Sequence, residues 1–356
     1  MLKYLIDSYY RYPLMRQQDF VKQIFQAEFG CEHCLGANNE NIIKDECSNL
    51  TASDDIGQVL FDQISSDFAR VNLVPFVKAG YNCNTLSDMM KKVNVKGSAE
   101  GFNARLGQFV SATENSLIDL DVNAVKRYVS SFVKPAPVHH SVAYRLNYRP
   151  HYRVVYKRHA VLLPLISAID NLLYKKLNVV VAIDGKCGSG KSFYADVLSR
   201  YYNFCTVIHC DDFFLPPEMR TRERLSQVGG NIDYERLAEV LKEVRKDKPF
   251  TYRRYSCSDN VYYDVNVNPK RLIVVEGSYS LHPALRSFYD LETLLTVSDS
   301  EQRIRLLQRE GREKFRAFAE KWIPLENRYF DSLSANNAII IDTCLLYTSP
   351  SPRDRQ

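Results

Sequence analysis

The residues best equipped for chemistry stand together between Asn178 and Ser192, where an apolar, β-branched run empties into Gly185-x-x-x-x-Gly190-Lys191-Ser192. Glycines at this spacing let the backbone turn tightly enough for successive N–H groups to point inward, and the helix that follows offers its N-terminus to the same anion. The pattern predicts a phosphate cradle formed by Gly185, Lys186, Cys187, Gly188, Ser189 and Gly190. Lys191 would neutralise the β- and γ-phosphates of ATP, and the Ser192 hydroxyl would ligate Mg²⁺. The flanks agree, because Val179 to Ile183 reads as a buried strand and Ser192 to Tyr202 as a helix.

Phosphoryl transfer also needs a carboxylate to activate the acceptor, an acid to hold the metal and cations to neutralise the moving group. Asp211, first of an Asp pair after the strand-like Cys205 to His209, is the candidate general base. Asp212 beside it either meets the acceptor or caps the next segment. Glu276 closes the apolar run Arg271 to Val275 and fits a metal-holding role with Ser192. Arg305, Arg309, Arg312 and Arg316 recur at three- and four-residue spacings, which would place guanidinium groups on one helical side as a lid over ATP phosphates. A solvated helix face carries the same pattern. Between Gly229 and Asp264 lies the candidate acceptor region. There Asn231 and Asp233 could take ribose hydroxyls and Tyr252 and Tyr255 could stack on a ring, unless these are ordinary core and surface positions.

These residues need a scaffold. Strand-like and helix-like segments alternate from Asn178 to Thr343, which predicts an α/β domain over 178–343 with a parallel sheet covered by helices on both faces. Asp184, the glycine loop, Asp211, Asp212 and Glu276 all fall at carboxyl ends of its expected strands, where such sheets bind ligands. Residues 1–150 read as a mainly helical domain, with helices expected at Leu14 to Phe29, Ile56 to Val71 and Ser98 to Ala112. A connecting helix, His159 to Lys176, occupies 151–177. In the His-, Tyr- and Arg-rich stretch Val138 to Val155, either the tyrosines pack inward beneath a cover of arginines or the run forms a binding surface.

A chain of 356 residues with 45% hydrophobic content can bury a sizeable core. Its net charge of +5 is mild and interspersed, so no basic stripe points to nucleic acid. No apolar run has transmembrane length and the N-terminus lacks a secretory layout, so a cytoplasmic protein is expected. Nine irregularly spaced cysteines fit reduced thiols better than disulfides. Cys31 and Cys34 form a C-x-x-C around His33 but have no second ligand pair at zinc-site spacing. Nothing in the pattern opposes a homo-oligomer.

With these residues in place, Asn178 to Thr343 resembles the uridine kinase-like group of P-loop nucleoside kinases. The resemblance rests on A-I-D-G-K-C-G-S-G-K-S, C-D-D-F-F-L-P, G-G-N-I-D-Y-E-R-L, V-V-E-G-S-Y-S-L-H-P and W-I-P-L-E-N-R-Y-F. It implies a catalytic base at Asp211, lid arginines on phosphate and ribose contacts around Asp233. The chain departs where mammalian-type uridine kinases carry a T-H-S-R-like stretch for the pyrimidine, since Tyr255 is followed here by S-C-S-D. The N-terminal half is similar to the helical segment preceding such kinase domains in some bacterial proteins, with F-G-C-E-H-C in place of F-G-P-G-H-L. Leu345 to Gln356 resembles a translated sequencing adaptor, and 344–356 is expected to be a non-native or disordered tail.

Two functions follow as expectations. One is an ATP- and Mg²⁺-dependent kinase acting on a hydroxyl of a nucleoside or similar small molecule. The other is a nucleotide-gated module working through the helical domain, which requires a solvent-open polar groove around His33, His140 and Arg145.

Overall fold

The computed structural model describes residues 1–30, 39–334 and 337–344. Cys31, His33, Cys34 and the tail from Leu345 lie outside these residues. The chain packs as two units, Met1–Leu163 and a second from Pro164 onward.

The N-terminal unit runs α1 (Leu2–Arg11), α2 (Gln17–Phe29), α3 (Asn39–Asn49), β1 (Phe61–Gln63), β2 (Phe68–Asn72), α4 (Leu73–Lys78), α5 (Cys83–Lys91), α6 (Ala99–Glu114), α7 (Val122–Ser130), α8 (Val142–Tyr148), β3 (Tyr152–Tyr156) and α9 (Lys157–Val161). α2 stops at Gly30, whose φ of 62° suits a residue without Cβ. The helix expected over Ile56 to Val71 is replaced by the antiparallel pair β1 and β2, onto which β3 adds. The Ser65 hydroxyl accepts the N–H groups of Asp67 and Phe68 and closes the turn between them. Every residue of β2 is buried, which erases the alternation by which a strand is recognised.

The tyrosines of Val138 to Val155 pack inward. Tyr144 is buried and stacks on His140 with ring centroids 4.1 Å apart. His140 is itself buried between the Asp19 carboxylate, 2.8 Å away, and the Tyr152 hydroxyl, 2.7 Å away. Burial drops its pKa to about 4 despite the Asp19 hydrogen bond. The open groove expected around His140 is therefore not formed there, although Arg145 is exposed.

The second unit continues with α10 (Leu163–Lys175), β4 (Val179–Gly185), α11 (Lys191–Tyr201), β5 (Cys205–His209), α12 (Arg222–Ser226), α13 (Tyr234–Val244), β6 (Phe250–Ser256), β7 (Val261–Val267), β8 (Leu272–Glu276), β9 (Leu291–Thr296), α14 (Asp299–Ala317), α15 (Ile323–Ser332) and β10 (Ile339–Asp342). The expected connecting helix is broken at Leu162, between α9 and α10, because Pro164 supplies no N–H to a preceding turn. The sheet is parallel throughout, in the order β10-β9-β4-β8-β5. All of β4 is buried, as a central strand covered on both faces must be. Its register sets Ile183 opposite Glu276, and Glu276 opposite His209, so the last residues of β8 and β5 finish level with the glycine loop.

β6 and β7 form a separate hairpin that the sequence reading did not resolve into strands. The long basic helix is also interrupted. Gly311 adopts φ 77° and ψ 171°, a region almost reserved for glycine, and a π-helical turn at Phe318–Trp322 precedes α15. No helix among the described residues is long and apolar enough to cross a membrane.

In the N-terminal unit Phe20 and Phe109 stack at 4.9 Å with no exposure. Phe109→Ala is expected to cost that unit about 3–5 kcal/mol, read as a lowered calorimetric midpoint. An unchanged thermogram would remove the stack from the core's supports.

Candidate functional site

The glycine loop leaves β4 by way of Gly185, whose φ is 156°. A Cβ there would lie 2.5 Å from the Leu295 carbonyl oxygen and 2.6 Å from Ser189 Oγ, so no side chain fits without displacing the loop. Gly188 and Gly190 follow at φ 77° and 93°. The chain then enters α11, whose first N–H groups, on Lys191, Ser192 and Phe193, have no carbonyl within the helix to bond. Lys191 Nζ donates to the carbonyl oxygens of Gly185 at 2.7 Å and Lys186 at 3.1 Å, which holds the ammonium across the mouth of the loop. Ser189 Oγ is buried inside the loop with no hydrogen-bond partner among the described residues. Amides at a helix start, a curled lysine and an orphaned hydroxyl are donors of the kind a polyphosphate engages.

The loop is braced from outside. Gln302 Nε2 on α14 donates to the Cys187 carbonyl oxygen at 2.9 Å, and Arg305 Nη1 to that of Gly188 at 3.0 Å. From α15, Glu326 accepts the Cys187 N–H at 2.8 Å and the Ser278 hydroxyl at 3.0 Å. Burial and the Glu326 carboxylate push the Cys187 thiol up to about 12, so it stays protonated. Lys186 pairs with Asp299 at 3.2 Å.

Beside the loop, Ser192 Oγ lies 3.1 Å from each oxygen of Glu276, and His209 Nδ1 lies 2.5 Å from Glu276 Oε1. Burial alone would raise the Glu276 carboxyl, but the His209 hydrogen bond and charge, helped by Lys191 and Ser192, hold it below the ordinary glutamate range. A hydroxyl and an ionised carboxylate are oxygen ligands of the type Mg²⁺ prefers. Asp184 sits one layer deeper with no exposure. It accepts the N–H groups of Gly185, Tyr279 and Leu281 and the Tyr329 hydroxyl at 2.6 Å. Burial nevertheless pushes its pKa up to about 6.

The other residues singled out in the sequence are distributed as follows. Asp211 is exposed on the short 3₁₀ turn Cys210–Phe213 that follows β5. The buried Cys210 thiol next to it lies in the combined field of Glu276, Asp184, Asp211 and Lys191, near the carboxyl ends of the strands. Asp212 accepts the Tyr252 hydroxyl at 2.6 Å, and Tyr252 stacks on Phe213 at 5.3 Å. Asn231 is buried, its carbonyl accepting the Leu215 N–H at 3.0 Å, and it lines a cleft with Gly229, Tyr279 and Arg328. Asp233 caps α13 through the Arg236 N–H and pairs with the Arg236 guanidinium at 3.1 Å.

Tyr255 is buried against Tyr262, and its hydroxyl donates to Asn260 within the same hairpin. The arginines do not form the continuous lid face that their spacing suggests, because the Gly311 break separates Arg305 and Arg309 from Arg312 and Arg316. Arg305 is 6% exposed and bonds Glu301, Gly188 and Thr343, so it anchors the loop from behind. Arg309 and Arg316 pair locally with Glu310 and Glu320, and Arg312 is exposed.

Sequence reading missed His209, Glu326 and Tyr329. Glu326 and Tyr329 stand three residues apart on α15, a spacing that puts both on one helix face. His209 gave no local signal, since only the strand register brings it to Glu276.

No family model matches the chain. Among curated proteins it is 27% identical over 127 residues to the inorganic pyrophosphatase TTM2 of Arabidopsis thaliana, an alignment covering 33% of this chain and 18% of that protein. The chain thus spans less than a fifth of the length of the curated relative it matches. A solved structure from Bacillus stearothermophilus, called a possible uridine kinase, is 19% identical with a TM-score of 0.39, covering 50% of this chain and 100% of that one. A Silicibacter protein named as a fructose transport system kinase is 18% identical with a TM-score of 0.42, covering 49% and 96%. A Saccharomyces cerevisiae protein described as a candidate P-loop-containing kinase with a circular permutation is 12% identical with a TM-score of 0.41, covering 52% and 99%. These neighbours are uridine kinase-like and other P-loop kinases, and the likeness is one of fold: α/β, with a five-stranded parallel sheet and helices.

Proposed function

We propose that the chain is an ATP-dependent phosphotransferase that moves the γ-phosphoryl group to a hydroxyl of a nucleoside or similar small molecule. The observation that carries this reading is the Ser192 hydroxyl set 3.1 Å from both Glu276 oxygens at the foot of the glycine loop. A hydroxyl at the start of a P-loop helix and a strand-end acid form the pair that holds a metal beside ATP phosphates. Mg²⁺, when bound, supplies charge neutralisation to the β- and γ-phosphate oxygens, and Ser192 and Glu276 are the residues that would hold it.

The remaining roles fall to the protein itself. The amides at the start of α11 and Lys191 bind and orient the phosphates. Asp211 takes the proton of the acceptor hydroxyl as that oxygen bonds to the γ-phosphorus and the bond to the bridging oxygen breaks, releasing ADP. The turn from Cys210 to Phe213 and the strand bearing Tyr252 form one wall for the acceptor, with the Asp212–Tyr252 bond fixing its shape. Asn231 and the cleft around it form another. Arg309 and Arg312 are the arginines left for phosphate contact once Arg305 is assigned to bracing the loop. The described cysteines are free thiols, which suits the cytoplasm, where ATP is abundant.

Screening nucleosides and related alcohols for ATP-dependent phosphorylation tests the reading. With the responding acceptor, Asp211→Asn is expected to lower kcat by about 100-fold or more with little change in the KM for ATP. Absence of transfer to every acceptor, or a fully active Asp211→Asn protein, would sink it.

Glu276→Gln keeps the shape of the side chain but removes its charge. It is expected to raise the Mg²⁺ concentration for half-maximal rate by about tenfold or more. A Mg²⁺ titration coincident with that of the unmodified protein would take Glu276 out of the metal's surroundings.

A further inference from the structure

Arg70 lies at the middle of β2 and is 2% exposed, so its cation is almost wholly withdrawn from water. Burying a guanidinium is costly unless an anion or a full set of acceptors compensates it. Its Nε and Nη2 both donate to one neutral oxygen, Gln26 Oε1, at 2.9 and 2.7 Å, and its plane lies over the Tyr152 ring at 4.7 Å. Among the described residues no carboxylate comes within ion-pair distance of it. The nearby acid, Asp62, is engaged by Arg11, by the Tyr12 hydroxyl at 2.6 Å and by Asn72 Nδ2 at 3.0 Å. Among the described residues only Nε and Nη2 donate, and Arg70 lines a narrow cleft that it shares with Tyr12, Asp62, Tyr144, Arg149 and His151.

A second donor in this cleft is likewise unspent. Tyr144 is 3% exposed, and its hydroxyl has no hydrogen-bond partner among the described residues. Burial raises its pKa, although Arg70 opposes this, so the oxygen keeps its proton and remains a donor. Tyr12, Tyr144 and Tyr148 line one side of the cleft, their rings packed against one another with centroids 4.9 to 5.5 Å apart. At its rim Arg149 is held at φ 40° as the left-handed C-cap of α8, a conformation unfavourable for any residue with a Cβ. Its guanidinium is 3.6 Å from Asp54, an exposed-side pairing of small worth that an incoming anion can share.

We propose that this cleft of the N-terminal unit binds the oxyanion end of a small metabolite, a carboxylate or a phosphate, between Arg70 Nη1 and the Tyr144 hydroxyl, with Arg149 at its mouth. The anion adds a direct ion pair to a guanidinium that Asp62 and the surrounding tyrosines stabilise only through space. It also takes a hydrogen bond from the Tyr144 hydroxyl, which lines the same cleft. The proposal concerns residues outside the glycine loop and stands apart from the kinase reading.

Calorimetric titration of the full chain at low ionic strength, with inorganic phosphate and separately with malonate, provides the test. A Lys191→Ala background weakens anion binding at the glycine loop, and the part of the heat that Tyr144→Phe removes reports on the N-terminal unit. At least one anion is expected to bind, the tighter of the two naming the class of head group. Tyr144→Phe, which deletes one hydroxyl and preserves the ring, is expected to weaken binding by about tenfold, and Arg149→Gln to weaken it with a reduced salt dependence. Melting curves matching the parent protein establish that these variants are folded. Binding of neither anion to the Lys191→Ala chain, or equal affinity in folded Tyr144→Phe, would overturn the assignment.

Discussion

The second unit depends on the environment of one buried carboxylate. Asp184 ends the apolar part of β4 with no exposure, where an unsatisfied charge would cost several kcal/mol. Three backbone N–H groups and the Tyr329 hydroxyl surround it. These four donors come from three parts of the site. Gly185 opens the glycine loop, Tyr279 and Leu281 belong to the segment after β8, and Tyr329 lies on α15. Satisfying Asp184 therefore fixes the loop, the end of the neighbouring strand and a distant helix in one arrangement. Burial still pushes its pKa up to about 6 against these hydrogen bonds.

From that anchor the loop is shaped by hydrogen bonds that divide its groups into occupied and open. The Gly185 N–H goes to Asp184, the Cys187 N–H to Glu326 and the Ser189 N–H to the Lys186 carbonyl. The carbonyls of Cys187 and Gly188 are taken by Gln302 and Arg305. The start of α11 and the Ser189 hydroxyl remain open, and at the helix start the dipole and the Lys191 ammonium act on the same point. The loop's affinity for anions is thereby concentrated at Lys191 and Ser192, beside Glu276.

Much of this was readable in the chain, because phosphate chemistry compresses into contiguous spacing. Gly185, Gly190, Lys191 and Ser192 carry their geometry in their order, and β4 announces itself by five apolar residues before Asp184. The alternation of strands and helices likewise gave the parallel sheet. Features that depend on long-range register were not readable. His209 meets Glu276 only because β5 and β8 pair in step, and Tyr252 reaches Asp212 only because β6 folds back as a hairpin. The arginine spacing misled for a local reason, since it assumes an unbroken helix and Gly311 interrupts it. In the N-terminal half β2 escaped notice because it is buried on both faces and so lacks a period of two.

The two units place charge in opposite ways, and the difference bears on what each can bind. Around the glycine loop every buried acid has its donors, so the open groups are cationic or N–H and lie at the surface end of a helix. Around Arg70 the buried charge is itself the cation, and its nearest acid is already committed to Arg11, Tyr12 and Asn72. A fold keeps an incompletely paired interior guanidinium only where neighbouring packing determines its position. Here that packing is supplied by Gln26 from α2 and the Tyr152 ring from β3, which hold the guanidinium plane on two sides and leave one edge toward the cleft. Because these contacts are made before any ligand arrives, an anion that enters need not order the arginine, and less of its binding energy is lost to conformational entropy.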